Sequence, residues 1–182
     1  MVTVSSLKTI PKGTPFMTWT IDDFDIGQKI GSGGFATVFR AINRKTKEHV
    51  AIKRSCKSST TDPNFEGRVT NELQIHHKLK HPNVLPMLGC FADDEYVYFV
   101  LEMCQGGDLF KCLRHNGPLR EELAVHVIQQ LICGLEYIHN HNVVHRDLKL
   151  SNILLTGDIQ NFNTTVKIAD FGLAVRKEHP DE

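Results

Sequence analysis

His145-Arg146-Asp147-Leu148-Lys149-Leu150-Ser151-Asn152 is the stretch on which the reading of this chain turns. An aspartate in such a loop can accept a proton from an alcohol nucleophile, or orient it. A lysine two positions later can neutralise charge on a phosphoryl group in transfer, and an asparagine five positions later can ligate Mg²⁺. A random polar loop seldom places these three side chains at these spacings. Downstream, Asp170-Phe171-Gly172 adds a second metal-binding carboxylate, an apolar plug and a hinge. Between the two lie short apolar runs at 153–155 and 166–168, which read as strands flanking a polar surface loop at 157–165.

Upstream, Pro118 opens a long helix over 120–141. Ala124, Ile128, Leu131, Leu135 and Ile138 recur at spacings of three and four and form its predicted apolar stripe. A shorter helix over 108–116 follows Gly106-Gly107. Earlier still the periodicity is that of strands. Phe24, Ile26 and Ile30 lead into Gly31-Ser32-Gly33-Gly34, and residues 38–42, 49–53, 85–91 and 96–103 supply four more strands. One helix interrupts them. It starts after Asp62-Pro63, carries Phe65, Val69, Leu73, His76 and Leu79 at helical spacing, and is expected to end near His81-Pro82, since a residue before proline disfavours the α region. Residues 1–20 are rich in Ser, Thr, Pro and Lys without periodicity and read as a flexible extension. The order of elements, strands with one helix and then helices, predicts an α+β fold: a β-rich lobe over 21–103, a connection over 102–107 and a helical lobe over 108–182.

Two upstream elements bear on the same chemistry. Gly31 to Val38 lie between the first two strands, where glycines let backbone N–H groups close on phosphate oxygens. Alone, this is equally a plain glycine-rich hairpin turn. A dinucleotide-binding unit fails because no helix follows the glycines, and a P-loop fails because no Gly-Lys-Ser/Thr ends the run. Val50-Ala51-Ile52-Lys53 puts a lysine at the end of an apolar strand, in reach of phosphates or simply solvated. Glu72, on the predicted helix, could pair with Lys53 or stand in water.

Composition limits the alternatives. With 182 residues and 41% apolar content the chain can bury one proper core. Its 21 basic and 21 acidic side chains leave no net field to attract nucleic acid or an anionic membrane. No apolar run approaches a bilayer span, and residues 1–19 lack the pattern of a signal peptide. Cys56, Cys90, Cys104, Cys112 and Cys133 show no CxxC spacing and are odd in number, as reduced thiols of a cytosolic or nuclear protein would be. Asn163-Thr164-Thr165 is formally a glycosylation acceptor, of no weight without a secretion signal. His139, His141 and His145 cluster at the end of the long helix, but no thiol or carboxylate completes a metal site there.

The glycine run, Lys53, the Asp147 octet and Asp170-Phe171-Gly172 stand in the order of the protein kinase signature, and the chain resembles that family. The resemblance implies ATP and Mg²⁺ as cofactors and protein substrates with serine or threonine acceptors. Ile30, Gly31, Ser32, Gly33, Gly34, Phe35, Ala36 and Val38 would cover ATP. Lys53 would contact its α- and β-phosphates, held by Glu72. Glu102 to Cys104 would be the hinge at the adenine, with Leu101 behind it, Val38 and Ala51 above and Leu154 below. Asp147 would be the base, Lys149 the partner of the moving phosphoryl group, and Asn152 and Asp170 the metal ligands. His76, Met87, His145 and Phe171 would stack through the two lobes. Lys149 favours the serine/threonine class. Ala36 in place of a third glycine, residues 100–104 and the octet itself are similar to the polo-like kinases. Residues 96–104 and 150–156 most resemble their fourth group, the regulators of centriole duplication, which implies a cytoplasmic or centriolar location.

The sequence departs from the family pattern twice. The segment from Asp147 to Asp170 is longer than usual, with the excess in 157–165. The sequence also stops shortly after Gly172, before the rest of an activation segment and with no Ser or Thr after Asp170. The expectation is a partial kinase domain whose isolated activity is weak or absent, and whose long helix exposes an apolar surface open to self-association. The rival expectation is a truncated, non-catalytic module that binds nucleotide or a partner.

Overall fold

The computed structural model describes residues 19–33, 36–58 and 65–177. Its contacts divide into two units, Met1–His77 with Met87–Met103, and Lys78–Pro86 with Cys104–Glu182.

The first unit is an antiparallel sheet of five strands: β1 (Phe24–Ser32), β2 (Thr37–Asn43), β3 (His49–Cys56), β4 (Met87–Ala92) and β5 (Tyr96–Glu102), in the order β1-β2-β3-β5-β4. Side chains made the tight turns. Asn43 Oδ1 accepts from the backbone N–H groups of Lys45 and Thr46, which folds the β2–β3 connection around Lys47 at φ +63°. Asp93 does the same between β4 and β5, accepting from Glu95 and Tyr96, while its second oxygen takes the Tyr98 hydroxyl at 2.7 Å. Burial alone pushes the Asp93 carboxyl up, but these hydrogen bonds and the Lys57 charge together hold it below the usual carboxylate range.

One face of the sheet buries Phe24, Ala41, Val50, Ile52, Phe91, Tyr98 and Val100, capped by Trp19 and Ile21. Phe24 stacks on Phe91 and Phe91 on Tyr98, with Trp19 edge-on to Phe24. Helix α1 (Phe65–His76) buries Phe65, Val69, Glu72, Leu73, Ile75 and His76. It stops at His76, short of the His81-Pro82 boundary expected from the proline. The His77 ring turns back onto the Leu73 carbonyl, and the Lys80 N–H leaves the helical ladder for the Tyr137 hydroxyl. Leu79 is buried as its spacing suggested, but within the second unit.

The second unit holds β6 (Gly107–Asp108), α2 (Leu109–Asn116), α3 (Glu121–Asn140), β7 (Val143–Val144), β8 (Ile153–Leu155), β9 (Val166–Ile168) and β10 (Val175–Arg176). β6, β8 and β9 form one small sheet, β7 and β10 another. Asp108 caps α2 by accepting from the Lys111 N–H at 2.8 Å, and Gly117, at φ +81°, ends it.

Helix α3 matches its expected length but only part of its expected face, with Ile138 buried and Leu131 packed against the core. The buried residues are Leu123, Val127, Gly134 and Ile138, whereas Ile128 is 51% exposed. The helix is apolar on two sides, and packing on β9 decided between them. Gly134 explains the choice, because a Cβ there would sit 2.8 Å from the Asn83 carbonyl and 2.9 Å from Ile168. Only a glycine allows the backbone that close.

The loop at 157–165 is less of a surface feature than its polarity implied. It contains a 3-10 turn (Ile159–Asn161), and Ile159 and Thr164 are buried. Thr164 Oγ1 donates to the Asp158 carbonyl at 2.6 Å. Gln130 of α3 donates to the Thr164 carbonyl and accepts from Val166 N–H and Asn83 Nδ2. Among the described residues no helix is long and apolar enough to cross a membrane. None of the five cysteines forms a disulfide.

Candidate functional site

In the first unit the site face is fixed by strand register. Ala51 and Lys53 are two apart on β3 and point the same way. Val38 lies opposite Lys53 on β2, and Leu101 and Phe99 lie opposite Ala51 and Lys53 on β5. Val38, Ala51, Lys53, Phe99 and Leu101 therefore share the face of the sheet that the aromatic core does not use. Ile30 and Gly31 precede Ser32 at the end of β1, where Gly31 pairs with Val38 and Ser32 with Thr37. The turn beyond is drawn together by a 2.8 Å hydrogen bond from Gly33 N–H to the Ala36 carbonyl. Gly34 and Phe35 lie outside the described residues.

Lys53 reaches α1. Its Nζ donates to Glu72 Oε1 at 2.6 Å, with side chains only 13% and 9% exposed, and stands 5.7 Å from the centroid of the Phe99 ring. A pair this shielded from water is geometrically defined in a way that a surface pair is not. Phe99 was not singled out from the sequence. The alternation of β5, with Leu101 two residues on, was the signal available. At the end of β5, Leu101 is buried and Glu102 half-buried. His76 is buried and Met87 half-buried, both in this unit.

In the second unit the octet forms a tight loop organised around Asp147. Asn152 Nδ2 donates to the Asp147 carbonyl at 2.8 Å and to its carboxylate at 3.0 Å, and Lys149 Nζ donates to the same carboxylate oxygen at 2.7 Å. The bond to Asp147 holds the Lys149 ammonium above its usual range. Asn152 is buried, and with its nitrogen committed to Asp147 its Oδ1 is left as a hard-oxygen ligand. Asp170 presents an exposed carboxylate from a backbone at φ +65°, and Arg146 sits at φ +63° with its Nε donating to the Leu173 carbonyl. For non-glycine residues these are uncommon conformations of the kind that accumulate at functional sites.

His145 ties the two motifs together. Asp147 N–H donates to its Nδ1 at 3.2 Å, so Nε2 carries the proton and donates to the Ala169 carbonyl at 3.0 Å. Burial holds the imidazole below its ordinary range, against the opposing pull of the Ala169 bond and of Asp170 and Asp147. The ring packs edge-on to Phe171, centroids 5.0 Å apart. This commitment removes His145 from any metal cluster with His139 and His141. His141 Nδ1 lies 2.8 Å from the Tyr137 carbonyl, and no group of three or more His, Cys, Asp or Glu side chains suited to a metal occurs among the described residues. Cys104 is buried, with its carbonyl accepting from Gly107 N–H, and Leu154 is half-buried in the middle of β8.

The family model of the protein kinase domain matches residues 24–182. Curated relatives include serine/threonine-protein kinase PLK4 of Drosophila simulans, 42% identical over 164 residues, which are 90% of this chain and 21% of the relative. PLK4 of Drosophila willistoni is 42% identical over 165 residues (90% and 20%), and PLK4 of Drosophila grimshawi 41% over 172 (92% and 22%). The chain belongs to the protein kinase family. Its similarity to the polo-like kinases, read from Ala36, residues 100–104 and the octet, is matched by these relatives. It spans about a fifth of their length.

Proposed function

We propose that this chain is the ATP-binding part of a polo-like protein serine/threonine kinase, made of an extension at 1–20, a first lobe at 21–103, a hinge at 102–107 and part of a second lobe at 108–182. The observation that carries this reading is the Asp147 carboxylate, held by Lys149 and Asn152 and supported through His145. In the reaction, the oxygen of a serine or threonine hydroxyl forms a bond to the γ-phosphorus as the bond to the β–γ bridging oxygen breaks and ADP leaves. Asp147 orients the hydroxyl and accepts its proton. Lys149 offsets charge on the phosphoryl group while keeping Asp147 in place. Lys53, fixed by Glu72, binds the α- and β-phosphates. Residues 30–36 with Val38 cover the nucleotide, and Leu101, Glu102, Cys104, Ala51 and Leu154 contact the adenine.

Asn152 and Asp170 would hold magnesium. The donor set fits, since Mg²⁺ prefers one or two protein oxygens completed by phosphate oxygens and water rather than a protein cage. A magnesium ion held there would supply positive charge against the phosphates. The same resemblance assigns a cytoplasmic, centriole-linked role, which a fluorescent fusion imaged against a centriole marker would test.

Val125, Ile128 and Ile132, 48–56% exposed along one side of α3, support self-association. A sedimentation coefficient that rises with concentration, and falls back on Ile132→Glu, is the expected sign. Neither nucleic acid nor membrane is a proposed partner. The reading itself is tested by a melt of the chain with and without millimolar Mg-ATP. Stabilisation that disappears in Lys53→Ala is expected, and an unchanged wild-type melt would overturn it.

A further inference from the structure

We infer that the aromatic face of the five-stranded sheet binds the phosphate of a phosphorylated peptide, with Arg54 as its anchor. The inference stands apart from the kinase reading, because none of its residues is assigned to nucleotide, metal or acceptor hydroxyl. Thr37, Arg54 and Tyr98 are successive cross-strand partners on β2, β3 and β5, so their side chains share the face that buries Tyr98. Phe39 is two residues from Thr37 and Tyr96 two from Tyr98, which puts both rings on that face, diagonal to Arg54. The Arg54 guanidinium carbon lies 4.8 Å from the Phe39 ring centroid and 4.5 Å from that of Tyr96. Two rings hold the cation in place, but they do not satisfy its N–H donors as an oxygen would. Among the described residues the half-buried Arg54 side chain makes no hydrogen bond or ion pair.

The surroundings of Arg54 choose the ligand. A planar guanidinium takes a carboxylate or a phosphate through two parallel hydrogen bonds. Here a second cation, exposed Lys29, pairs with Phe39 from β1, and the Thr37 hydroxyl lies directly across from Arg54. A phosphate monoester brings close to two negative charges and three acceptor oxygens, enough for the guanidinium, the hydroxyl and the ammonium, where one carboxylate has a single charge and two oxygens. The nearest acid does not compete. Asp93 accepts from the Glu95 and Tyr96 N–H groups and from the Tyr98 hydroxyl. Exposed Asp94 and Glu95 in the same turn repel an anion beside Tyr96, so it enters from the Phe39 and Lys29 side. A peptide, rather than a free anion, gains a further contact there. Ile26 is 42% exposed and pairs with Ala41 of the same face, two residues from Phe39, where an apolar side chain next to the phosphorylated residue covers it.

The test is fluorescence anisotropy of a labelled short peptide, phosphoserine between leucines, titrated with the 182-residue chain in the absence of ATP. Its unphosphorylated form is the control. The phosphopeptide should bind at least about tenfold more tightly than the control, and Arg54→Ala should remove that difference. Arg54→Lys, which keeps the charge and guards against misfolding of the alanine variant, should weaken binding at least about threefold because the fork is lost. Phe39→Leu should weaken it as well, although no charge changes. Equal affinity for the two peptides, or phosphopeptide binding that neither Arg54 substitution moves, overturns the site. Inorganic phosphate that displaces the labelled peptide as well as unlabelled phosphopeptide does overturns the peptide as its ligand.

Discussion

Removing Glu72 should destabilise the first unit far more than removing Glu72 and Lys53 together. The pair is 2.6 Å long and its side chains are 13% and 9% exposed, so little water remains to solvate Lys53 once its carboxylate is gone. Breaking a buried pair from one side costs about 3–5 kcal/mol, whereas replacing both partners with apolar groups of similar volume is often neutral. The residual exposure, and the Phe99 ring 5.7 Å from the ammonium, put the expected cost of Glu72→Ala at the lower end, about 3 kcal/mol. Lys53→Met with Glu72→Leu should stay within about 1 kcal/mol of wild type. Urea unfolding followed by fluorescence is the assay. The chain has one tryptophan, Trp19, and it packs against Phe24 in the same unit. Mg-ATP should stabilise neither variant, because both lose the positioned cation. A Glu72→Ala loss below 1 kcal/mol, or a double variant less stable than the single one, would refute the reasoning.

Gly134→Ala should destabilise the second unit by about 1–3 kcal/mol despite the better helix propensity of alanine, because the new Cβ meets the Asn83 carbonyl at 2.8 Å; far-UV circular dichroism in urea reads this. His145 is held below the ordinary 6.5 by burial, so the unfolded chain takes up that proton first. Its contribution to stability is complete above about pH 6.5 and is lost as pH falls through the depressed folded value, a slope that His145→Asn should flatten in urea titrations at a series of pH values. Thiol labelling should separate the cysteines. Exposed Cys133 should react first and Cys90, buried and pushed up to about 12, last, with the order read by mass spectrometry.

What the sequence disclosed and what it hid follow from the range of the forces involved. Strands β8 and β9 fall where short apolar runs put them, and α2 begins at the Asp108 cap, because these signals are local. The octet was equally legible, since Asn152, Lys149 and Asp147 meet within one loop of six residues. The end of α1 was not, because the Tyr137 hydroxyl that takes the Lys80 N–H is 57 residues away. Nor was the whole face of α3, of which the stripe placed Ile138 and Leu131 but not Leu123, Val127 or Gly134. Its residues are apolar on two sides, and the choice depends on Gly134 meeting the Asn83 backbone, which no periodicity records. Ile159 looked like part of a polar loop because its burial depends on α2, β8 and β9 gathering around it. Glu72 was visible only as one glutamate on a helix, and the register of β3 with β5 pairs strands that lie far apart in the chain.

The measurement that bears most directly on the kinase reading is transfer of ³²P from γ-labelled Mg-ATP to protein, followed by phosphoamino-acid analysis, for wild type and Asp147→Asn. The substitution preserves size and hydrogen bonding but removes the carboxylate that takes the hydroxyl proton. Label on serine and threonine that falls by at least about a hundredfold in Asp147→Asn is the predicted result, a loss of the size general-base catalysis supplies. Label on serine and threonine undiminished in Asp147→Asn would contradict the role of Asp147, and no transfer by the chain even when joined to the C-terminal half of a polo-like kinase domain would contradict the kinase reading itself.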